Sequence, residues 1–234
     1  MTRPTLIACS HGTSSDDGRL AIRGLIEQVR AILPHVPVEE AFVDVQEPTV
    51  ADVVARVAAS GPAVVVPLLL STGYHTRVDI AAAVEPHANV VAAPALGPHD
   101  LLALVLEDRL REAGLRSGDA VVLAAAGSTD PAAETDARTM ARRVAELLHA
   151  RLTVGFAAGA EPGISEAVAQ ARVDGARRVI AASYVLAPGH FASVIADGGA
   201  DIVTAPLAPD LRIAAVIAER YEAASADLPA PIAG

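Results

Sequence analysis

A chain of 234 residues that is 52% hydrophobic, with 3% aromatic residues and no Trp, has ample material for a core built from Ala, Val, Leu and Ile. Its formal net charge of −10, with no cluster of Lys or Arg to override it, argues against nucleic acid and anionic membrane surfaces as partners, and no apolar run approaches the roughly 20 residues of a bilayer span. The single cysteine, Cys9, leaves neither an internal disulfide nor a thiol pair for a metal, and Met1-Thr2-Arg3-Pro4 leads into a short apolar run without the longer core of a secretory signal, so a soluble cytoplasmic protein is expected.

Along the chain, short β-branched runs alternate with stretches of helical period, the order of a parallel sheet covered by helices. Strands are predicted at residues 5–9, 38–45, 63–70, 90–93, 120–125, 152–157, 178–185 and 202–205, with helices between them. The first helix places Ile22, Leu25, Ile26, Val29, Ile32 and Leu33 on one face before Pro34 stops it. Asp16-Asp17-Gly18 reads as the turn before that helix rather than as a metal loop. A second helix follows Pro48-Thr49 and buries Val50, Val53, Val54 and Val57.

The two halves repeat one another with an offset of about 112 to 116 residues. Ala88-Asn89-Val90-Val91-Ala92-Ala93-Pro94 matches Ala200-Asp201-Ile202-Val203-Thr204-Ala205-Pro206, and Glu47-Pro48 matches Glu161-Pro162. The expected fold is therefore α/β, with two similar units, each a four-stranded mainly parallel sheet flanked by helices, packed as a pseudo-dimer around a cleft. Gly114 and Gly118 interrupt the apolar pattern between the halves, which places the units at residues 1–116 and 117–234.

The repeats disagree where chemistry is expected. Ser10-His11-Gly12-Thr13 after the first strand corresponds to Ala125-Ala126-Gly127-Ser128. Phe42-Val43-Asp44-Val45 corresponds to Phe156-Ala157-Ala158-Gly159, and Leu70-Ser71-Thr72-Gly73-Tyr74-His75 to Leu186-Ala187-Pro188-Gly189-His190-Phe191. The first unit should thus carry an active site and the second be a degenerate copy. Open parallel sheets bind ligands beyond the carboxyl ends of their strands, where His11 and His75 fall, with Asp44 in the end of its own strand. Two imidazoles and a carboxylate suit a labile divalent metal, and imidazole also takes up protons near neutral pH. Asp44 has an equal alternative as a turn cap or the partner of an arginine. Cys9 is expected to be a buried small hydrophobe, and His35, His87, His99 and His149 are expected in solvated positions. His190 either lines the cleft or fills the place of an aromatic, the second being preferred.

With the strand followed by His-Gly-Thr, the segment Phe42-Val43-Asp44-Val45-Gln46-Glu47-Pro48, and Pro67-Leu68-Leu69-Leu70-Ser71-Thr72-Gly73-Tyr74-His75 ahead of Arg77-Val78-Asp79-Ile80, the chain resembles the sirohydrochlorin chelatases of the tandem-repeat type over nearly its whole length. The resemblance implies insertion of Co2+ or Fe2+ into sirohydrochlorin, without ATP or an organic cofactor, on the paths to cobalamin or siroheme. Ni2+ stays open as a third metal. It also implies that His11 and His75 are the metal ligands and, with Asp44, the catalytic groups. The family more often has Glu where this chain has Asp44, so Glu47, a turn later, is an alternative acid. For the polycarboxylate substrate the candidates are Arg77 and the backbone around Gly12, Thr13 and Ser14, then Gly73 and Tyr74, ahead of Arg19 or Arg23.

Two other functions compete. A histidine phosphatase needs an arginine immediately before the strand-end histidine, where this chain has Ser10, so that reading fails. A metal or tetrapyrrole carrier would keep both histidines and bind without inserting; the acid beside them favours proton transfer and hence catalysis. Duplication lets one chain supply both walls of a cleft, so a monomer with an internal pseudo-dimer is expected.

Overall fold

Strands that lie between two helical layers are apolar on both faces, which is why their sequences run rather than alternate. The computed structural model describes residues 3–229 and follows that rule. Its first sheet contains β1 (Thr5–Ser10), β2 (Val38–Phe42), β3 (Ala63–Pro67) and β4 (Val90–Ala92), all parallel, in the order β2-β1-β3-β4. The second contains β5 (Ala120–Ala125), β6 (Leu152–Phe156), β7 (Val179–Tyr184) and β8 (Ile202–Val203), in the order β6-β5-β7-β8. The helices are α1 (Asp16–Ile32), α2 (Val50–Ala58), a wide π-type turn at His75–Ile80 that runs into α3 (Ala81–Val84), α4 (Asp100–Glu112), α5 (Pro131–Leu148), α6 (Ile164–Val173), α7 (His190–Ala196) and α8 (Leu211–Ser225). Among the described residues no helix is long and apolar enough to cross a membrane.

Several strands stop short of their apolar runs. β2 ends at Phe42 instead of residue 45, and β3 at Pro67 instead of residue 70. Past those points Val43 donates to the Ser10 carbonyl and Leu68 to that of Cys9, after which the chain turns away, and Leu68, Leu69 and Leu70 line a cavity rather than continue the ladder. Asp44 consequently sits in the turn after β2, beside Val45 with its left-handed φ of 57°, and not within the strand. On α1, Leu25, Ile26, Val29 and Leu33 are buried as expected, whereas Ile32 faces outward. Asp16 and Asp17 open that helix behind the Ser15 cap, where their charge complements its dipole.

The inner helices interleave the two repeats. α1 packs on α8 and α5 on α4, while α8 also lies on β3 and α4 on β7, so each repeat's last helix covers the other's sheet. One apolar core results, joining Leu6, Val64 and Val66 to Leu123, Ile180 and Ala182. Polar ties follow the same seam. The Tyr184 hydroxyl donates to the Leu70 carbonyl at 2.9 Å, and that of Tyr221 to Pro4 at 2.7 Å. His99 departs from its expected solvated place: its side chain caps α4 by accepting from Leu101 N–H and reaches Glu219 across the seam at 3.2 Å. The outer helices close separate cores, α2 and α3 on the first sheet and α6 and α7 on the second.

Candidate active site

His11 is the first residue past β1, and the turn that presents it depends on Gly12. This glycine has a φ of 88°, and a Cβ there would lie 2.5 Å from the Asp44 carbonyl oxygen, so only glycine lets the loops after β1 and β2 lie against each other. Thr13 locks the contact: its N–H donates to Gln46 Oε1 at 2.8 Å, and its carbonyl accepts from Arg19 Nε at 3.1 Å.

His75 opens the π-type turn after β3. Thr76 holds the loop before it, accepting from Gly73 N–H at 2.9 Å and donating to the Gly73 carbonyl at 2.8 Å. One turn along, Asp79 Oδ2 lies 2.7 Å from His75 Nδ1. A carboxylate there accepts the Nδ1–H, fixes the tautomer and leaves Nε2 with its lone pair free for a metal or a proton. The His11 and His75 rings then meet edge to face, with centroids 4.8 Å apart.

Both rings line a cavity of about 620 Å³ between the repeats. The opposite wall belongs to the second repeat and carries Ala126, His190 and Phe191, whose ring centroid is 6.3 Å from that of His11. Arg19 and Arg23 face one carboxylate, Glu40, in the lining among the described residues. Local charge thus favours an anionic occupant despite the acidic whole. Among the described residues no group of three or more His, Cys, Asp or Glu side chains is arranged to hold a metal ion. A pair of imidazoles is an incomplete coordination shell, suited to a metal in transit.

The structure brings His11, Gly12, Thr13, Ser14, Gly73, Tyr74 and His75 together on this cavity and leaves Asp44, Glu47 and Arg77 out of its lining. Asp44 turns back on its own loop, its Oδ1 accepting from Val45 N–H at 2.8 Å. Arg77 pairs with Asp130, the N-cap of α5, at 3.2 Å. The two arginines ranked behind it, Arg19 and Arg23, are those in the lining. Glu40 and Asp79 went unselected in the sequence, although both carried a signal: the two-residue alternation of a strand for Glu40, and the four-residue spacing from His75 for Asp79. His190 does line the cavity, with its ring 5.4 Å from that of Phe191. Cys9 is buried on the far face of β1, its thiol pushed up to about 12 by burial and then by the charge of Asp79.

Residues 5–113 and 120–224 each match the CbiX family. The sirohydrochlorin cobaltochelatase of Priestia megaterium is 28% identical over 166 residues, which cover 65% of this chain and 54% of that protein, so the match spans about half of the relative's length. Among solved structures, SirB from Bacillus subtilis with Fe3+ superposes with a TM-score of 0.80 at 18% identity, covering 96% of each chain. The sirohydrochlorin chelatase SirB from Bacillus subtilis subspecies spizizenii, in complex with cobalt, does so with a TM-score of 0.74 at 16% identity, again over 96% of each chain. At those identities the superpositions speak for the fold, and the sequence match over both halves speaks for the family: the chain belongs to the CbiX/SirB sirohydrochlorin chelatase family, with one CbiX repeat in each half.

Proposed function

We propose that the protein inserts a divalent metal, Co2+ or Fe2+, into sirohydrochlorin on the way to cobalamin or siroheme, with no nucleotide or organic cofactor. The observation that carries this reading is the pair of imidazoles, His11 and His75, facing each other at 4.8 Å on the wall of a cavity large enough for a flat macrocycle. The SirB structures that hold cobalt and Fe3+ support cobalt and iron as the metals, and Ni2+ suits the same donors.

Metallation exchanges two pyrrole N–H bonds for two bonds from nitrogen to metal and releases two protons. In this reading His11 and His75 hold the incoming cation through imidazole nitrogen. As each releases the metal to the macrocycle, its lone pair becomes free to accept one of the displaced protons. Asp79 keeps His75 Nε2 directed at the cavity and stabilises the imidazolium once formed. Arg19 and Arg23 meet substrate carboxylates, and Phe191 offers an apolar surface to the opposite face of the ring. Asp44 and Arg77 act one step back, the first by fixing its own loop, against which Gly12 of the His11 turn packs, and the second by bracing the His75 turn against Asp130.

The test is anaerobic metallation of sirohydrochlorin followed by absorbance, with Co2+ and Fe2+ supplied separately. Wild type should exceed the enzyme-free rate, and His11→Ala and His75→Ala should each lose about 100-fold or more. Macrocycle binding without acceleration by either metal would leave a carrier and sink the enzyme.

A further inference from the structure

Among the described residues Glu40 is the one carboxylate in the cavity lining. Side chains of β2 alternate. Ala41 enters the outer core and Glu39 pairs with Arg56 on that same side, while Val38, Glu40 and Phe42 face the shared core and the cavity. In the second sheet, Phe156 occupies the place of Phe42, each paired with the last residue of the central strand. The counterpart of Glu40 is therefore Val154, a buried member of the shared core. A valine suits the scaffold at this position, and the charged residue occurs in the repeat that also carries His11 and His75.

The position is awkward for a cavity that receives a polycarboxylate. Glu40 is half-buried and makes no hydrogen bond or ion pair among the described residues, although Arg19 and Arg23 share its cavity. An uncompensated negative charge there opposes an anionic occupant, and burial strengthens the opposition. For a divalent cation the sign is reversed. Glu40 pairs in register with Ala8, three residues before His11, which places it roughly 10 Å deeper along the sheet at about 3.3 Å per residue. β2 is also an edge strand, so Glu40 stands at the flank of the cavity, away from the mouth formed by the loops.

We infer that Glu40 is a specificity residue for the metal substrate, its charge drawing the hydrated divalent cation from the mouth down to His11 and His75 at some cost in tetrapyrrole affinity. The inference rests on the chelatase reading above, but its first test does not require turnover. Co2+ is titrated by calorimetry into the tetrapyrrole-free full chain, as wild type, Glu40→Gln and Glu40→Asp, and the KM of each substrate is then measured separately.

Glu40→Gln should weaken Co2+ binding and raise the KM for Co2+ by about five- to tenfold, while the KM for sirohydrochlorin stays level or falls. Glu40→Asp, which keeps the charge, should retain most of the Co2+ affinity. It also provides the comparison with wild type should the amide variant fail to fold. Unchanged Co2+ binding in Glu40→Gln would overturn the inference. So would a rise in the KM for sirohydrochlorin alone, which would make Glu40 an aligner of Arg23, or equal losses in the Gln and Asp variants. Wild type that binds Co2+ but never metallates would sink the chelatase reading and still let the titration decide the role of Glu40.

Discussion

The two walls of the cavity share a backbone and differ in chemistry. Gly12 and Gly127 have φ of 88° and 82°, and each packs against the carbonyl of the matching loop residue, Asp44 or Ala158. Phe42 bridges to Thr49 and Phe156 to Gly163, closing equivalent loops. Onto these scaffolds the first repeat places His11, His75, Asp79 and Glu40 where the second has Ala126, Phe191, Ile195 and Val154. Every polar member of the set has an apolar counterpart, and Ile195 and Val154 are buried in cores. The scaffold thus follows backbone requirements common to both halves, whereas the proposed chemistry rests on a few side chains whose counterparts are apolar.

The sharpest way to break this comparison is to move an imidazole across the cleft. His11→Ala should lower the metallation rate about 100-fold, and adding Ala126→His should leave it there, because Phe191 stands at the counterpart of His75 and the neighbouring His190 has Val194, not a carboxylate, four residues on. Recovery above the level of His11→Ala in the same absorbance assay would show that position in the cavity matters more than pairing.

The glycines separate scaffold from chemistry. Gly12→Ala and Gly127→Ala both force an L-residue into the left-handed region against a carbonyl, at a cost of about 2 kcal/mol each. Thermal unfolding should register this as a fall in Tm of about 4–8 °C in either variant. Metallation should fall by about tenfold only in Gly12→Ala, where the displaced loop carries His11. Equal loss of activity in both would mean that the second wall does more than shape the cavity.

Asp79 sharpens the contrast further, since Ile195 at its counterpart supports no histidine. Asp79→Asn should reduce kcat by about tenfold with little change in the KM for sirohydrochlorin, and Asp79→Glu should recover part of the loss. Nitrogen NMR of the His75 ring provides the decisive reading, because a fixed Nδ1–H tautomer in wild type should become a mixture in Asp79→Asn. An unchanged tautomer would remove the carboxylate from the mechanism.

How much of this was legible in the sequence depended on whether the signal was local. The alternating order of the strands and helices and the internal repeat sufficed for two parallel four-stranded units, because buried strands and amphipathic helices imprint their periods on composition. The positions of His11 and His75 followed from strand ends and from their loss in the second half. Strand ends were misplaced where Leu68, Leu69 and Leu70 continue an apolar run for the sake of the cavity. Asp44 and Arg77 were chosen by motif, yet their directions are set by the left-handed Val45 and by Asp130 more than fifty residues away, neither of which leaves a local trace. Glu40 was within reach, because once β2 is assigned, alternation from Phe42 puts it on the cavity face.

Cys9 is the smallest and most exacting test of the same logic. It lies two residues from His11, and a thiolate that close would be a natural third ligand. Alternation along β1 sends it the other way: Leu6 and Ala8 face the shared core and Ser10 the cavity, while Ile7 and Cys9 enter the outer core. Burial pushes the thiol up to about 12, so in the metal-free protein it stays protonated through the neutral range. The second repeat has Ala124 at this place, equally buried, so the layer accepts the smaller side chain. Cys9→Ala should therefore cost about 1 kcal/mol or less and leave Co2+ affinity unchanged. Wild type loaded with Co2+ should show no sulfur-to-cobalt charge-transfer band; such a band, lost in Cys9→Ala, would mean that the metal is held from both faces of β1 and that the division between scaffold and chemistry fails at its closest point.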